Sequence, residues 1–574
     1  METKSQSCSP ELWGGVECTI NRVGDVFRDQ LEDVGYYQRE TDLEKIAALG
    51  FKKLRYPVLW EKHQPGLDGK IDWQHVSREL GALRVKGIMP IAGLLHHGSG
   101  PKHTNLLDPD FPAKLADYAG KVAAQFPWLE YYTPVNEPLT TARFSGLYGF
   151  WFPHHRSDKS FLKMLLNQMK AVVISMQAIR KINPSAKLVQ TEDLSRTHST
   201  PLLSYQARFE NYRRWLSYDL LCGYVNRSHP LWKYLLSKGV TEKELLFFKE
   251  NKCKPAVMGC NYYITSERYL DESIESYPLE SHGRNARHKY ADTASVRSNK
   301  HFGLKKLLKE VWHRYQIPIA ITECHLNCTR EDQLRWLNET WTSCCELKQV
   351  GVPVIAVTAW SLLGAHDWDS LLTKRKRSYE TGVFDVSAGK LRPTALSKMI
   401  RQLADGRRYM HPLLEQPGWW QRIHTDSFPT GRPLIIVDGS IFEQACLERG
   451  IPYISLTAAE FLDHCGEYMD DWMRDNNAWG VILSGENCCY LLRSCLKNLA
   501  HIPVMTAIYA ADPECFEISN EFEVLTIQNK SSNGMKFAHD AMNLFIDEAK
   551  GMWTVFEEGI RKNRMANTDY LLIK

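Results

Sequence analysis

The sequence predicts an α/β protein, a (β/α)8 TIM barrel followed by a smaller C-terminal domain with a Rossmann-like parallel sheet. Three observations predict it. Eight short apolar, β-branched runs precede residue 400 and alternate with longer amphipathic stretches. The segment GWWQRIHTDSFPTGRP (418–433) then loses all periodicity and gathers turn formers. Beyond it, β and α patterns alternate again on a smaller scale. The expected boundaries are a barrel over 11–405, a linker over 406–431 and the second domain over 432–560.

In chain order, the first four barrel runs are LWGGVEC (12–18), KLRYPVLW (53–60), IMPIAGLLH (88–96) and YYTPVNE (131–137). The other four are AKLVQTED (186–193), AVMGCNYYI (256–264), IPIAITEC (317–324) and PVIAVTAWSLL (353–363). Between the fourth and fifth, FLKMLLNQMKAVVISMQAIRKI (161–182) has helical periodicity and is closed by Asn183-Pro184. Met164, Met169 and Met176 recur there at near-helical spacing and read as core. The second domain's strands are PLIIVDG (433–439), YISLT (453–457), AWGVILSG (478–485), IPVMTAIYA (502–510) and FEVLTIQ (522–528), with helices between and after them.

Composition narrows the function. The chain of 574 residues is 44% hydrophobic and 24% charged, as soluble globular proteins are. A formal net charge of +4 is small for this length, so no nucleic-acid partner is expected. METKSQSCSPELWGG has no apolar core of a secretory signal, and VPVIAVTAW (352–360) is too short to span a bilayer, so no membrane role is expected. The 15 cysteines include no C-x-x-C pair, and buried thiols in a reducing, cytoplasmic setting are the expectation.

Two carboxylates stand out. Tyr131 to Val135 alternate as strand residues do, and Pro138 cannot continue a ladder, so Glu137 is left at a strand's C-terminal end. Glu323 closes IPIAITE in the same way. In a (β/α)8 barrel the chemistry sits at those strand ends, so the fourth and seventh strands bring both carboxylates to one mouth. Opposed carboxylates suit glycoside hydrolysis, one attacking the anomeric carbon and the other giving a proton to the leaving oxygen.

TPVNEP resembles the T-x-N-E-P acid/base motif of glycoside hydrolase family 1, and ITEC resembles its I-T-E-N-G nucleophile motif. The resemblance runs over residues 11–400 and implies a retaining β-glycosidase, β-glucosidase-like, acting on a small glycoside. It implies Glu323 as nucleophile and Glu137 as acid/base, with Asn136 on the sugar's 2-hydroxyl. LRYPVLW supplies Arg55 near the nucleophile, GLLHH the sugar ligand His96, and MGCNYY the supporting Asn261 and Tyr263. AWSLLGAHDW supplies Trp360 as sugar platform and Trp368 beside it. Three positions depart from the family pattern. Asn21 stands where a Gln grips O3 and O4, Asp367 where a Glu binds O4 and O6, and Cys324-His325 follow the nucleophile in place of Asn-Gly. Each shortened side chain retreats by about one methylene, enough to break a hydrogen bond unless water or a shifted sugar fills the gap. Transfer to a sugar acceptor, or sugar sensing with weak catalysis, are the alternatives.

Other features have plainer readings. His96-His97 and His154-His155 lack a third ligand at metal spacing, so no metal is expected, and His97 reads as structural. Glu192 and Asp193 end the fifth strand, where they either line the mouth or cap the following segment. The run Lys374 to Arg377 is a solvated basic loop, or else a contact for an anionic sugar, with a plain sugar expected. The second domain's opening, RPLIIV…ACLERGIPYISLT, resembles sugar-nucleotide reductases of the dTDP-rhamnose pathway. VDGSIFEQ keeps one glycine of the phosphate-binding turn, Gly439, so no nicotinamide cofactor is expected. Packing, dimer contacts or small-ligand sensing remain for that domain.

Overall fold

The computed structural model describes residues 9–66, 68–277, 281–297, 301–415, 417–421, 433–465, 469–476, 478–485, 487–495, 504–508, 525–529, 534–549 and 570–573. The end of the expected linker, 422–431, the first residue of the expected second domain, 432, and parts of the strands expected at 502–510 and 522–528 lie outside them. The chain divides into two compact units, one of residues 1–296 and 300–418, the other of 297–299 and 419–574.

The first unit is built on a closed barrel of eight parallel strands. They are β1 (Glu11–Gly15), β2 (Lys53–Pro57), β3 (Met89–Gly93), β4 (Tyr131–Thr133), β5 (Lys187–Asp193), β6 (Val257–Asn261), β7 (Ile319–Cys324) and β8 (Val354–Ala359). Each strand pairs with its neighbour in sequence, and β1 closes on β8 with Trp13 opposite Thr358. All eight expected runs are strands. Trp13, Ile91, Val189, Val257, Ala320 and Ala356 pack together inside the barrel. Each fully buried aliphatic side chain contributes roughly 1.5–3 kcal/mol, so this layer gives the strand ends a stiff base.

The helices follow local chemistry. The helix Asp158–Ile182 starts where the Ser157 side chain accepts the Ser160 N–H, and ends at Asn183. It buries Met164, Met169 and Met176 as core. Two features carry no sequence period. A hairpin of Ile20–Val23 with Val26–Asp29 follows β1, and a four-stranded sheet gathers Arg196–Ser199, Glu267–Asp271, His282–Arg284 and Lys289–Ala294.

The second unit has a six-stranded sheet of β9 (Leu434–Val437), β10 (Tyr453–Leu456), β11 (Gly480–Ser484), β12 (Val504–Ile508), β13 (Leu525–Asn529) and β14 (Tyr570–Ile573). The order is β10-β9-β11-β12-β13-β14, parallel except for β14, which sequence reading missed. This order differs from the 3-2-1-4-5-6 of dinucleotide folds and follows the other doubly wound arrangement, 2-1-3-4-5. Alternation buries both faces. Leu434 and Ile436 pack with Phe442, Phe537 and Phe545, while Ile435 and Val437 pack with Phe461, Val481 and Leu491.

Candidate active site

Glu137 follows β4 at a backbone angle few side chains adopt, φ 43° and ψ 59°, directly before the helix Pro138–Ala142. A left-handed non-glycine costs of order 1–2 kcal/mol, so its surroundings must hold it. Its N–H donates to the Thr191 carbonyl (3.2 Å), and its carbonyl accepts the Thr141 N–H (2.9 Å). Glu192, at the end of β5, caps the short helix from outside. Its carboxylate accepts the N–H groups of Leu139 (2.9 Å) and Thr140 (3.3 Å) and the Ser217 hydroxyl (2.7 Å). Glu192 therefore caps the segment after β4, and not the one that follows β5. Asp193 accepts the Ser266 hydroxyl at 2.5 Å.

The two candidate catalytic carboxyls have unlike surroundings. Glu323, on β7, accepts Arg55 Nη1 on Oε1 (2.8 Å) and the Tyr263 hydroxyl on Oε2 (2.6 Å). Among the described residues, Glu137 accepts the Asn261 amide alone, Nδ2 to Oε1 at 2.6 Å, and lies 3.8 Å from His97 Nε2. Burial raises the pKa of both. For Glu323 the charge of Arg55 and the hydrogen bonds of Tyr263 and Arg55 oppose that rise. For Glu137 the charges of Glu323, Asp193 and Glu192 add to it, so its carboxyl is held well above the usual range. His97 cannot supply a compensating cation, because burial lowers it to about 3. The surroundings thus favour the ionised form more at Glu323 than at Glu137.

Arg55 links Glu323 to Asn136. Its Nη2 donates to Asn136 Oδ1 (2.7 Å), which also accepts the Thr191 hydroxyl (2.7 Å). That leaves the Asn136 amide nitrogen aimed at His96 Nε2 (3.3 Å) and His97 Nε2 (3.4 Å). His96 stacks on Trp360, with ring centroids 5.5 Å apart and planes 10° off parallel, and Arg55 lies 4.5 Å over the same indole. Gly15 is required beneath that ring, since a Cβ there would sit 2.5 Å from Trp360 Cε3. Thr322 donates to Asn261 Oδ1 (2.6 Å), which turns the amide nitrogen towards Glu137.

The departures from the family pattern fall in two groups. Asn21 is fully buried, and neither its amide nitrogen nor its oxygen has a hydrogen-bond partner. The Trp368 indole nitrogen is likewise buried without one, beside His97 (5.6 Å) and Trp151 (6.2 Å). Unmet buried polar atoms of this kind suit hydroxyls of a bound sugar. Asp367 differs. Its carboxylate accepts Arg28 Nη2 (2.6 Å) and the N–H groups of Lys376 (3.1 Å) and Ser378 (2.8 Å). It serves the loop that carries the basic run. Arg375 of that run pairs with Asp33 at 2.9 Å. His325 is buried, with Nε2 3.7 Å from Glu380.

Sequence reasoning missed Thr191, the orienting donor on Asn136, and Glu17, a carboxyl just past β1 that is 5% exposed. The signal for Glu17 was available, since a charged residue interrupts an apolar strand run. Among the described residues, no group of three or more His, Cys, Asp or Glu side chains is placed to hold a metal, and no helix is long and apolar enough to cross a membrane.

Among solved structures, the chain is similar to a family 1 β-glucosidase from Thermotoga maritima at 17% identity and a TM-score of 0.55, over 70% of this chain and 99% of that one. It is also similar to the Thermotoga maritima β-glucosidase in complex with deoxynojirimycin, at 17% identity and a TM-score of 0.56, over 71% of this chain and 100% of that one. The same enzyme in complex with glucoimidazole gives 16% identity and a TM-score of 0.56, with 71% and 100% covered. At these identities the likeness speaks for the fold. The family model for glycosyl hydrolase family 1 matches residues 17–379, more than half of the chain. The barrel, the paired carboxyls and this match agree, and the chain belongs to glycosyl hydrolase family 1.

Proposed function

We propose that the chain is a retaining β-glycosidase in which Glu323 attacks the anomeric carbon and Glu137 protonates the leaving oxygen. Glu323 forms a glycosyl ester as the aglycone departs with the proton of Glu137. The Glu137 carboxylate then takes a proton from a water molecule, whose oxygen displaces Glu323 and restores the resting state. The observation that carries this reading is the unequal environment of the two carboxyls: two strong donors on Glu323, and one amide plus neighbouring negative charge on Glu137. Asn136, His96, Trp360, Asn21 and Trp368 form the glycone subsite. The free thiols among the described residues support a reducing, cytoplasmic setting.

For the second unit, a reductase-like origin without cofactor binding is the favoured reading, with packing, self-association or ligand sensing as its role. Gly439, at the start of the helix Ser440–Arg449, is closed in by its own sheet. A Cβ there would lie 2.7 Å from Ile436 Cγ2 and 3.4 Å from Ser484 Cβ.

The test is chemical rescue. Glu323→Gly should lose turnover of dinitrophenyl β-glycosides and regain it with azide, giving a glycosyl azide of inverted anomeric configuration. A folded variant that azide does not rescue removes Glu323 from the nucleophile's role. Acceptor alcohols added to the unaltered enzyme separate transfer from hydrolysis.

A further inference from the structure

His97 stands against Glu137 and has no part in the steps above. Its backbone lies in the left-handed region, φ 54°, as that of Glu137 does at φ 43°, so strained non-glycine residues follow two neighbouring strands. The ring is buried, edge-on to His96 (4.9 Å), Trp151 (5.4 Å) and Trp368 (5.6 Å). Its Nε2 lies 3.8 Å from Glu137 Oε2, while the Asn261 amide occupies Oε1. Hydrogen bonding fixes which ring nitrogen carries the proton. Asn136 Oδ1 accepts from Arg55 (2.7 Å) and Thr191 (2.7 Å), so the Asn136 amide nitrogen is the group that faces the imidazoles. That nitrogen can only donate, and it reaches His97 Nε2 at 3.4 Å. Nε2 is therefore the acceptor, and Nδ1–H donates to the Thr141 hydroxyl (3.0 Å) in the helix that follows Glu137.

Resting on the retaining-glycosidase reading, we propose that His97 is a positioning residue for Glu137: a neutral imidazole whose Nε2 lone pair keeps the acid/base proton on Oε2. Asn261 donates to Oε1, so Oε2 is the oxygen that gives its proton to the leaving group. The 3.8 Å separation is long for a hydrogen bond at rest, and contacts of this kind tighten when substrate binds. Once the proton has left, a carboxylate oxygen faces a lone pair. That opposition favours recovery of a proton from the water that displaces Glu323. The charged and titratable groups around the pair are His96 beside it in the chain, Arg55 from β2, Glu192 and Asp193 from β5, and Glu323 from β7. Tyr263 from the loop after β6 and Tyr218 from the helix Leu216–Cys222 complete the set.

The test follows the pH dependence of kcat/KM on a phenyl β-glycoside, whose leaving group needs the proton of Glu137. His97→Phe keeps an aromatic ring beside Trp151 and Trp368 and removes the acceptor. Its alkaline limb should move to lower pH by about half a unit to one unit, with roughly a threefold to tenfold loss beyond the limb. Thr141→Val keeps the side chain's shape and removes the hydroxyl that fixes the tautomer, so it should move the limb the same way by less. A loss equal at every pH, with the limb of folded His97→Phe unmoved, refutes the proposal and leaves His97 a packing residue. Where that variant does not fold, an unmoved limb in Thr141→Val refutes it instead. Infrared difference titrations of the full chain read the same proton without turnover. The protonated-carboxyl band that Glu137→Gln lacks should disappear at lower pH in His97→Phe than in the wild type, and loss at the same pH overturns the assignment. If the wild type cleaves no aryl β-glycoside, the glycosidase reading fails, and the infrared titration still decides whether His97 holds the proton of Glu137.

Discussion

Replacing Tyr263 with Phe removes one donor from Glu323 and little else, because the ring remains in place. The hydroxyl donates to Glu323 Oε2 at 2.6 Å, inside a site where Glu323 is 3% exposed. A hydrogen bond to a charged group contributes roughly 1.5–3 kcal/mol, and one pKa unit corresponds to about 1.4 kcal/mol. The bond favours the ionised form, so its loss should raise the Glu323 carboxyl by about one to two units. Only ionised Glu323 attacks, so the acid limb of kcat/KM should move to higher pH by that amount. The alkaline limb, which reports the proton on Glu137, should move much less. The assay is the pH dependence of kcat/KM on a phenyl β-glycoside, whose poor leaving group needs the proton of Glu137, so that both limbs are seen. An acid limb within about 0.3 units of the wild type would refute the claim that Tyr263 keeps the nucleophile ionised.

Three further outcomes are expected. Burial raises Glu61 to about 8, with one oxygen on the Gly100 N–H (3.0 Å) and the other without a partner. The folded chain therefore holds a proton that the unfolded chain releases from pH ~4.5 upward, and stability should fall by about 3 kcal/mol between pH ~5 and pH ~7 through this group. Glu61→Gln should flatten that part of a denaturant-measured stability profile; an unchanged slope would count against it. Because Asp367 is engaged by Arg28 and two backbone donors, a sugar lacking the C6 hydroxymethyl should be accepted nearly as well. An aryl β-xyloside should show kcat/KM within about tenfold of the glucoside, whereas a preference of a hundredfold or more for the glucoside would place O6 on Asp367. Finally, the full chain should show no micromolar binding of NADH or NADPH by calorimetry, since VDGSIFEQ keeps a single glycine, Gly439, and sets the negative Glu443 in the first turn of the helix Ser440–Arg449, where the phosphates would approach. Tight binding of either would restore a reductase reading.

Much of the site could be read from sequence because it is encoded locally. Glu137 and Glu323 each end an apolar run, and a parallel barrel brings all strand ends to one rim. Arg55, His96, Asn136, Asn261 and Trp360 fall on that rim for the same reason. Residues whose roles depend on a distant partner could not be read. Glu192 looked able to line the mouth or cap its own following segment, yet it caps the helix after β4, because that helix starts at the neighbouring strand end. The resemblance aligns Asp367 with a sugar ligand, and it could not show that Arg28, 339 residues away in a hairpin that leaves no periodic trace, donates to its carboxylate.

The same division holds in the second unit. Alternating apolar runs determined a sheet covered by helices on both faces, since each strand must bury two sides. They could not set the strand order. A helix crossover has the same length and handedness whether the next strand joins one edge or the other, so only side-chain packing across the sheet puts β9 between β10 and β11. The sequence by itself determined the barrel and which residues stand at its rim. Tertiary structure decided the charges around them: two carboxyls with similar strand-end contexts differ because Arg55 and Tyr263 reach Glu323, while Glu137 faces other carboxyls. Electrostatic energy depends on separation in space, and residues far apart in the chain set those separations only once the barrel has closed.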